Sequence, residues 1–245
     1  MSDFRGYPQA GARSTGIDQG LRAYMQKVYN YMAGGLALTG ASAIGTYNMA
    51  VASEQPLTLT AFGNTVFHGP LMWVLIIASL GLVMFLSFGI QRMSVGTAQL
   101  GFWAYAALMG MSFASLGLVY THGSIARVFF ITAATFASTS LYGYTTKRDM
   151  TGFGSFLFMG LIGLIIASVV NIFLQSSAMN FALSVIGVLL FTGLTAWDTQ
   201  QIKTMYYSTS GEASLGKAAI MGALRLYLDF INLFLSLLRL FGDRR

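Results

Sequence analysis

The sequence predicts an all-α integral membrane protein of about seven closely packed transmembrane helices. Hydrophobic residues make up 55% of the 245-residue chain and charged residues only 9%, whereas a soluble domain carries about 25% charge to face water. Mean hydropathy is +0.64. Apolar runs near the ~20 residues that a helix needs to cross hydrocarbon recur along the chain, separated by short polar breaks.

The elements follow in order. Met1 to about Leu21 is polar and reads as a disordered tail, without the apolar core of a signal peptide. The division is therefore a tail over 1–22 and a transmembrane domain over 23–245. Spans are expected at roughly 28–51, 71–91, 98–120, 126–146, 153–174, 180–203 and 218–240. The prolines, Pro8, Pro56 and Pro70, all fall between spans, so no span is proline-broken, as helices of many transporters are. Ala33, Ala37, Ala41 and Gly45 line one face of the first span, and Ala106, Gly110 and Ala114 do so on the third. Such faces let helix backbones approach closely in lipid.

Charge supplies orientation. The amino-terminal side holds Arg5, Arg13, Arg22, Lys27, Arg92, Lys147, Arg148, Lys203 and Lys217, which by the positive-inside rule places the amino terminus in the cytoplasm. The other side has Arg127, Arg244 and Arg245. Arg239, Arg244 and Arg245 fit an outer face poorly, so a last helix that re-enters instead of crossing stays open. The pI of 9.7 does not signal a nucleic-acid partner, because the cations are spread over short loops. There is no cysteine, which excludes disulfides, thiol catalysis and zinc–thiolate sites. His68 and His122, the two histidines, fall in loops, which argues against a histidine metal site. No cofactor and no enzymatic activity are expected.

Two acids lie inside spans: Asp198 in the sixth and Asp229 in the last. A carboxylate at bilayer depth costs about 2.5–3.5 kcal/mol on insertion scales, so it needs a partner or a wet cavity. Asp198 lies toward the inner end of its span, and Asp229 sits about 18 Å along the last helix from Lys217. Adjacent helices can bring them together. On the last span Arg225, Asp229, Asn232, Ser236 and Arg239 follow at spacings of four, three, four and three, a polar stripe along one helical face. Hydroxyls at Thr192, Thr195 and Thr199, and at Thr135, Ser138, Thr139 and Tyr142, are candidates to line a polar seam beside it. The plain reading pairs Arg225 with Asp229 one turn away; intramembrane acids on an aligned stripe favour an ion or proton path. Carboxyls in contact share a proton. Protonated, the pair holds its helices together; deprotonated, it repels and can admit a cation. Calcium takes six to eight oxygen ligands, so Asp198 and Asp229 with a few hydroxyls would form only a weak, transient Ca2+ site.

Gly143-Tyr-Thr-Thr-Lys-Arg-Asp149, Gly154-Ser-Phe-Leu-Phe-Met-Gly-Leu-Ile-Gly163, Trp197-Asp-Thr-Gln200, Leu226-Tyr-Leu-Asp-Phe-Ile-Asn-Leu-Phe-Leu235 and Leu238-Arg-Leu-Phe-Gly242 together resemble the Bax inhibitor-1 family, and the chain looks like a bacterial member. The resemblance covers nearly the whole chain beyond the tail. It implies a seven-helix bundle with the last helix central, in a bacterial inner membrane, and a pH-sensitive calcium leak. It also implies a di-aspartyl pH sensor at the positions of Asp198 and Asp229. Relatives latch this pair with an arginine of the second helix, for which Arg92 is the nearest candidate; an ordinary positive-inside anchor is the other reading. Arg225, Asn232 and Ser236 come from the stripe alone.

The alternative is a non-conducting interaction protein that modulates a membrane-bound protease or a stress response, in which the tail or a loop matters and both aspartates tolerate Asn. An intramembrane aspartyl protease would carry Gly-x-Gly-Asp, but Asp229 follows Leu226-Tyr-Leu. A retinal protein needs a lysine in the last span, and 218–240 has none. Expected partners are the bilayer, Ca2+ and H+.

Overall fold

A bundle of long helices carries almost all of the described residues. The computed structural model describes residues 9–54 and 56–245, with side chains from residue 19 onward. Helix α1 (Gln9–Ala50) leads into a hairpin of β1 (Val51–Glu54) and β2 (Leu57–Leu59), and then into the short α2 (Ala61–Phe67). Next come α3 (Pro70–Gly89) with a 3-10 turn over Ile90–Arg92, α4 (Val95–Phe113) and the four-residue α5 (Leu116–Val119). The chain ends in α6 (His122–Thr145), α7 (Thr151–Leu174), α8 (Ser177–Ser208) and α9 (Glu212–Phe241). Of the stretch read as tail, residues 1–8 lie outside the described residues, and 9–22 form the first turns of α1.

Local chemistry sets the helix starts. Thr60, Ser94, Thr121 and Ser176 each accept a hydrogen bond from the backbone N–H three residues on, satisfying one of the donors a helix leaves unpaired. Pro70 opens α3, where a missing N–H costs nothing. Short connections make consecutive helices antiparallel and give the bundle two ends. At the near end α1 enters and the α3–α4, α6–α7 and α8–α9 connections lie. The far end carries the hairpin, α2, the α4–α6 and α7–α8 connections and residues 242–245.

Among the described residues six helices are long and apolar enough to cross a membrane, covering residues 70–92, 95–119, 122–145, 151–174, 177–208 and 212–241. They correspond to the second through seventh expected spans, and the protein is an all-α membrane protein. The first span lies within α1, which has the length to cross but is diluted in apolarity by its Gly, Ser and Thr residues. In α9, 72% of the apolar window is buried, against 11–39% in the other five. It packs on α1, α4, α6 and α8. Helices α3 and α7 instead turn Trp73, Ile77, Phe88, Phe156, Ile172 and Phe173 outward, the apolar exterior that hydrocarbon solvates.

Close approaches hold the helices. A Cβ on Gly110 would meet the Thr39 carbonyl oxygen, and one on Gly143 would meet that of Ala196, so α1–α4 and α6–α8 cross backbone to backbone. The expected small face of the third span is borne out by Ala106, Gly110 and Ala114, all buried. That of the first span is not: Ala33, Ala37, Ala41 and Gly45 are exposed, and Gly35, Thr39 and Thr46 face inward. Thr39 supplies the reason, since its hydroxyl joins the Gly35 and Ala106 carbonyls and meets the Tyr227 hydroxyl at 2.7 Å.

Residues 242–245 form a strap across the far end. The Thr121 N–H donates to the Asp243 carbonyl, and the Arg245 N–H donates to that of Val119. Arg245 reaches Glu54 at 3.7 Å and Asp243 meets Arg127 at 3.5 Å, while the Arg244 guanidinium sits 6.0 Å above the Tyr120 ring. Helix α9 is continuous from Lys217, whose Nζ donates to the Gln91 carbonyl at the near end, to the strap at the far end, without the reversal that a re-entrant helix would make. The far-end arginines that fitted an outer face poorly are in part paired with acids there.

Candidate functional site

Four consecutive residues of α8 point in four directions and organise the bundle around them. Trp197 packs where Gly154 of α7 leaves room. Asp198 turns to α9. Thr199 meets Ser140 of α6 at 2.9 Å. The Gln200 amide clasps the α6–α7 loop, donating to the Arg148 carbonyl and accepting from the Met150 N–H. One turn further, Lys203 donates to the Tyr144 carbonyl.

Asp198 and Asp229 are brought together. They are 8% and 5% exposed, and their carboxyls lie against each other within hydrogen-bonding reach. Two carboxylates offer only acceptors, so the contact is a bond only when one of them carries a proton. The Asp229 Oδ2 atom is buried without a donor from any other group, an arrangement that a shared proton relieves.

Arg225 does not pair with Asp229 as the one-turn spacing suggested. Its guanidinium lies 3.6 Å from Asp198 Oδ1 across the α8–α9 interface. Helical side chains lean toward the helix amino terminus, which carries Arg225 away from Asp229, four residues later on the same helix. The Arg225 side chain is 44% exposed and that of Asp198 11%, so the guanidinium is the more open member of the pair. Tyr24 of α1 is close by, its hydroxyl buried without a partner.

Asn232 and Ser236 of the stripe spend their donors on their own helix. Asn232 donates to the Leu228 carbonyl and Ser236 to that of Asn232, and Ser236 fills the space beside Gly187 of α8. Arg92 is exposed at the end of the 3-10 turn. Its neighbour Gln91 is at the level of Lys217, about 18 Å along α9 from Asp229, so Arg92 does not touch the pair. Arg225 takes the guanidinium position beside the acids.

The polar seam also differs from expectation. Thr135, Ser138 and Thr139 return their hydroxyls to carbonyls of α6, and Tyr142 is exposed. The buried hydroxyls of α6 are Ser124, near the strap, and Thr132 and Ser140 further along. Tyr29 of α1 meets Ser140 at 2.7 Å, Ser140 meets Thr199, and Thr199 donates to the Thr195 carbonyl. A hydroxyl has one hydrogen, so this row donates in one direction, from Tyr29 to the Thr195 carbonyl. Neither Tyr29 nor Ser140 was singled out in the sequence; the signal was the inward register of α6, with Thr132, Phe136, Ser140 and Gly143 at spacings of four, four and three.

Among the described residues no group of three or more His, Cys, Asp or Glu side chains could hold a metal ion. Two carboxyls supply too few oxygens to retain calcium against its need for six to eight. What the pair itself offers is two carboxyls that can share a proton.

The model of the family described as inhibitor of apoptosis-promoting Bax1 matches residues 21–245. The protein RP147 of Rickettsia prowazekii (strain Madrid E) is 49% identical over 245 residues, covering 100% of both chains. Inner membrane protein YbhL of Escherichia coli (strain K12) is 49% identical over 228 residues, 92% of this chain and 94% of its own. Membrane protein SpyM3_0260 of Streptococcus pyogenes serotype M3 is 37% identical over 229 residues, 93% of this chain and 96% of its own. With the family match covering residues 21–245 and the sequence likeness running nearly the length of both chains, this chain belongs to the Bax inhibitor-1 family.

Proposed function

We propose that this protein is a pH-gated leak for cations, calcium among them, in a bacterial inner membrane, with Asp198 and Asp229 as its gate. In this reading α1 is a seventh crossing, α9 is the central helix, and the near end, with its excess of Arg and Lys, faces the cytoplasm. The observation that supports it is the pair of buried carboxyls in contact between α8 and α9, with one guanidinium 3.6 Å from Asp198. Holding a proton, the pair fastens α8 to α9. Losing it leaves two negative charges in a low-dielectric site with one partly solvated arginine to offset them. The helices then repel and a cation replaces the proton, so flux rises as pH rises through the pair's titration.

The test is calcium entry into dye-loaded liposomes from pH 5 to 8, comparing the wild-type protein with Asp198→Asn and Asp229→Asn. The expected result is a pH-dependent flux in wild type and a pH-independent one in both variants. Inserted, folded protein with no flux above empty liposomes would overturn the leak and favour the non-conducting interaction protein. A wild-type pH profile in both variants would remove the gate from this pair.

A further inference from the structure

Helices α1 and α6 do not close against each other along their near-end halves. Between them runs a lateral groove of about 590 Å³. Met32, Ala33 and Leu36 form one wall, and Phe136, Ala137 and Leu141 the other. Its polar floor is already satisfied, because Tyr29 and Ser140 bond each other at 2.7 Å, so the groove offers an occupant apolar contact along its length.

The mouth is cationic. Arg22 lines it, as does Tyr144, over whose ring the Lys203 ammonium sits at 5.4 Å. Lys147 and Arg148 follow in the loop directly after Tyr144. Among the described residues none of these four cations is in an ion pair. Asp149 is the acid in that loop, and it is engaged by Thr151.

Dimensions select the occupant. From Arg22 to Leu36 the groove rises about 21 Å along α1, half of the ~40–45 Å that a bilayer measures with its headgroups. It therefore runs from a headgroup layer to the bilayer midplane, cationic at the first and apolar toward the second. A partner helix is a cylinder ~10 Å wide, whereas the groove spreads about 590 Å³ over that whole length, a narrow slot rather than a seat for a helix. An acyl chain is slender enough, and an anionic headgroup supplies the charge that the mouth lacks.

We propose that the α1–α6 groove is a binding site for an anionic phospholipid, with an acyl chain along Ala33 and Ala137 and the phosphate at Arg22 and Lys203. Native mass spectrometry of the purified full chain tests it, with palmitoyl-oleoyl phosphatidylglycerol and the phosphatidylcholine of the same chains as probes. The wild-type protein should retain phosphatidylglycerol in preference to phosphatidylcholine. Arg22→Gln should weaken phosphatidylglycerol about fivefold, as expected for one juxtamembrane cation, with phosphatidylcholine unchanged. Ala137→Trp, which fills the groove from an exposed position, should remove the retained copy whatever its headgroup, and Ala33→Trp serves if that variant does not fold. Equal retention by wild type and a folded groove-filled variant would overturn the proposal. So would a lipid-free dimer that the tryptophan disrupts, which would make the groove a contact between copies. Displacement of the lipid by excess inorganic phosphate would overturn it as well, since phosphate alone would then suffice.

Discussion

The Arg225–Asp198 contact allows a quantitative test of the site. At 3.6 Å two unit charges attract by about 4–5 kcal/mol at an effective dielectric of ~20. With the arginine side chain 44% exposed, solvent screening and side-chain entropy reduce this to about 1–2 kcal/mol of coupling. A double-mutant cycle with Arg225→Met and Asp198→Asn isolates that coupling, because both replacements keep length while removing charge. The assay is SDS-driven unfolding in mixed micelles at pH 8, followed by tryptophan fluorescence, at low and high salt. Coupling should be about 1–2 kcal/mol at low salt and fall on adding salt, as the exposed half of the pair is screened. The parallel cycle with Asp229→Asn should give a smaller value. Coupling of about 0.3 kcal/mol or less for Arg225 and Asp198, the scatter of independent sites, would refute the pairing. So would a larger coupling to Asp229.

Other expectations follow from the packing and the loops. Gly143→Val should destabilise the bundle by about 1–3 kcal/mol in the same assay, because its side chain meets the Ala196 backbone; Gly163→Ala, with nothing within 4 Å, should stay within about 0.5 kcal/mol. Ser140→Ala leaves the Tyr29 hydroxyl without its acceptor and should cost about 1–2 kcal/mol, whereas a neutral result would show that α1 is not held by the hydroxyl row. The N–H and hydroxyl of Thr151 donate to Asp149 and hold its carboxyl below its ordinary value of 3.8. A depressed folded pKa stabilises above the unfolded value and is lost as pH falls through the folded one. The stability difference between wild type and Asp149→Ala should thus be present at pH 7 and be lost in acid, as pH falls through the lowered folded value, and a difference that persists in strong acid would refute this. Because the chain has no cysteine, single cysteines report topology cleanly. Thr58→Cys should react with an impermeant maleimide from outside the cell and Ser210→Cys only after permeabilisation; the reverse would invert the orientation.

Hydropathy made the second through seventh spans legible, because a helix in hydrocarbon must be apolar over its whole length. The same property hides which face turns inward, since lipid-facing and core-facing positions are equally apolar. That is why the small-residue stripe of Ala33, Ala37, Ala41 and Gly45 fell on the exposed side of α1. The hydroxyls at Thr135, Ser138 and Thr139 misled for a related reason: a hydroxyl can satisfy itself on its own helix, so its presence marks no seam. The start of α1 was masked by polar composition, although Leu21, Tyr24, Met25, Val28 and Met32, all buried, already stand at helical spacing. The acid pair was legible because intramembrane carboxylates are costly enough to need each other. The partner of Arg225 was not, because it depends on side-chain direction and on which helix lies opposite.

The deep burial of α9 has a consequence for how the chain is assembled. It is the last of the described helices in sequence, yet its flanks supply much of the packing surface for α1, α4, α6 and α8. During synthesis the earlier helices enter the membrane before it exists. Until α9 arrives, Thr39 lacks Tyr227, and Asp198 lacks both Asp229 and Arg225. The slot that α9 fills is then vacant, with the Asp198 carboxyl turned into it. Helix α9 acts as a keystone: the bundle closes only after residue 241 has been made, and a chain stopped before 212 would leave Asp198 facing lipid, a ready signal for membrane quality control.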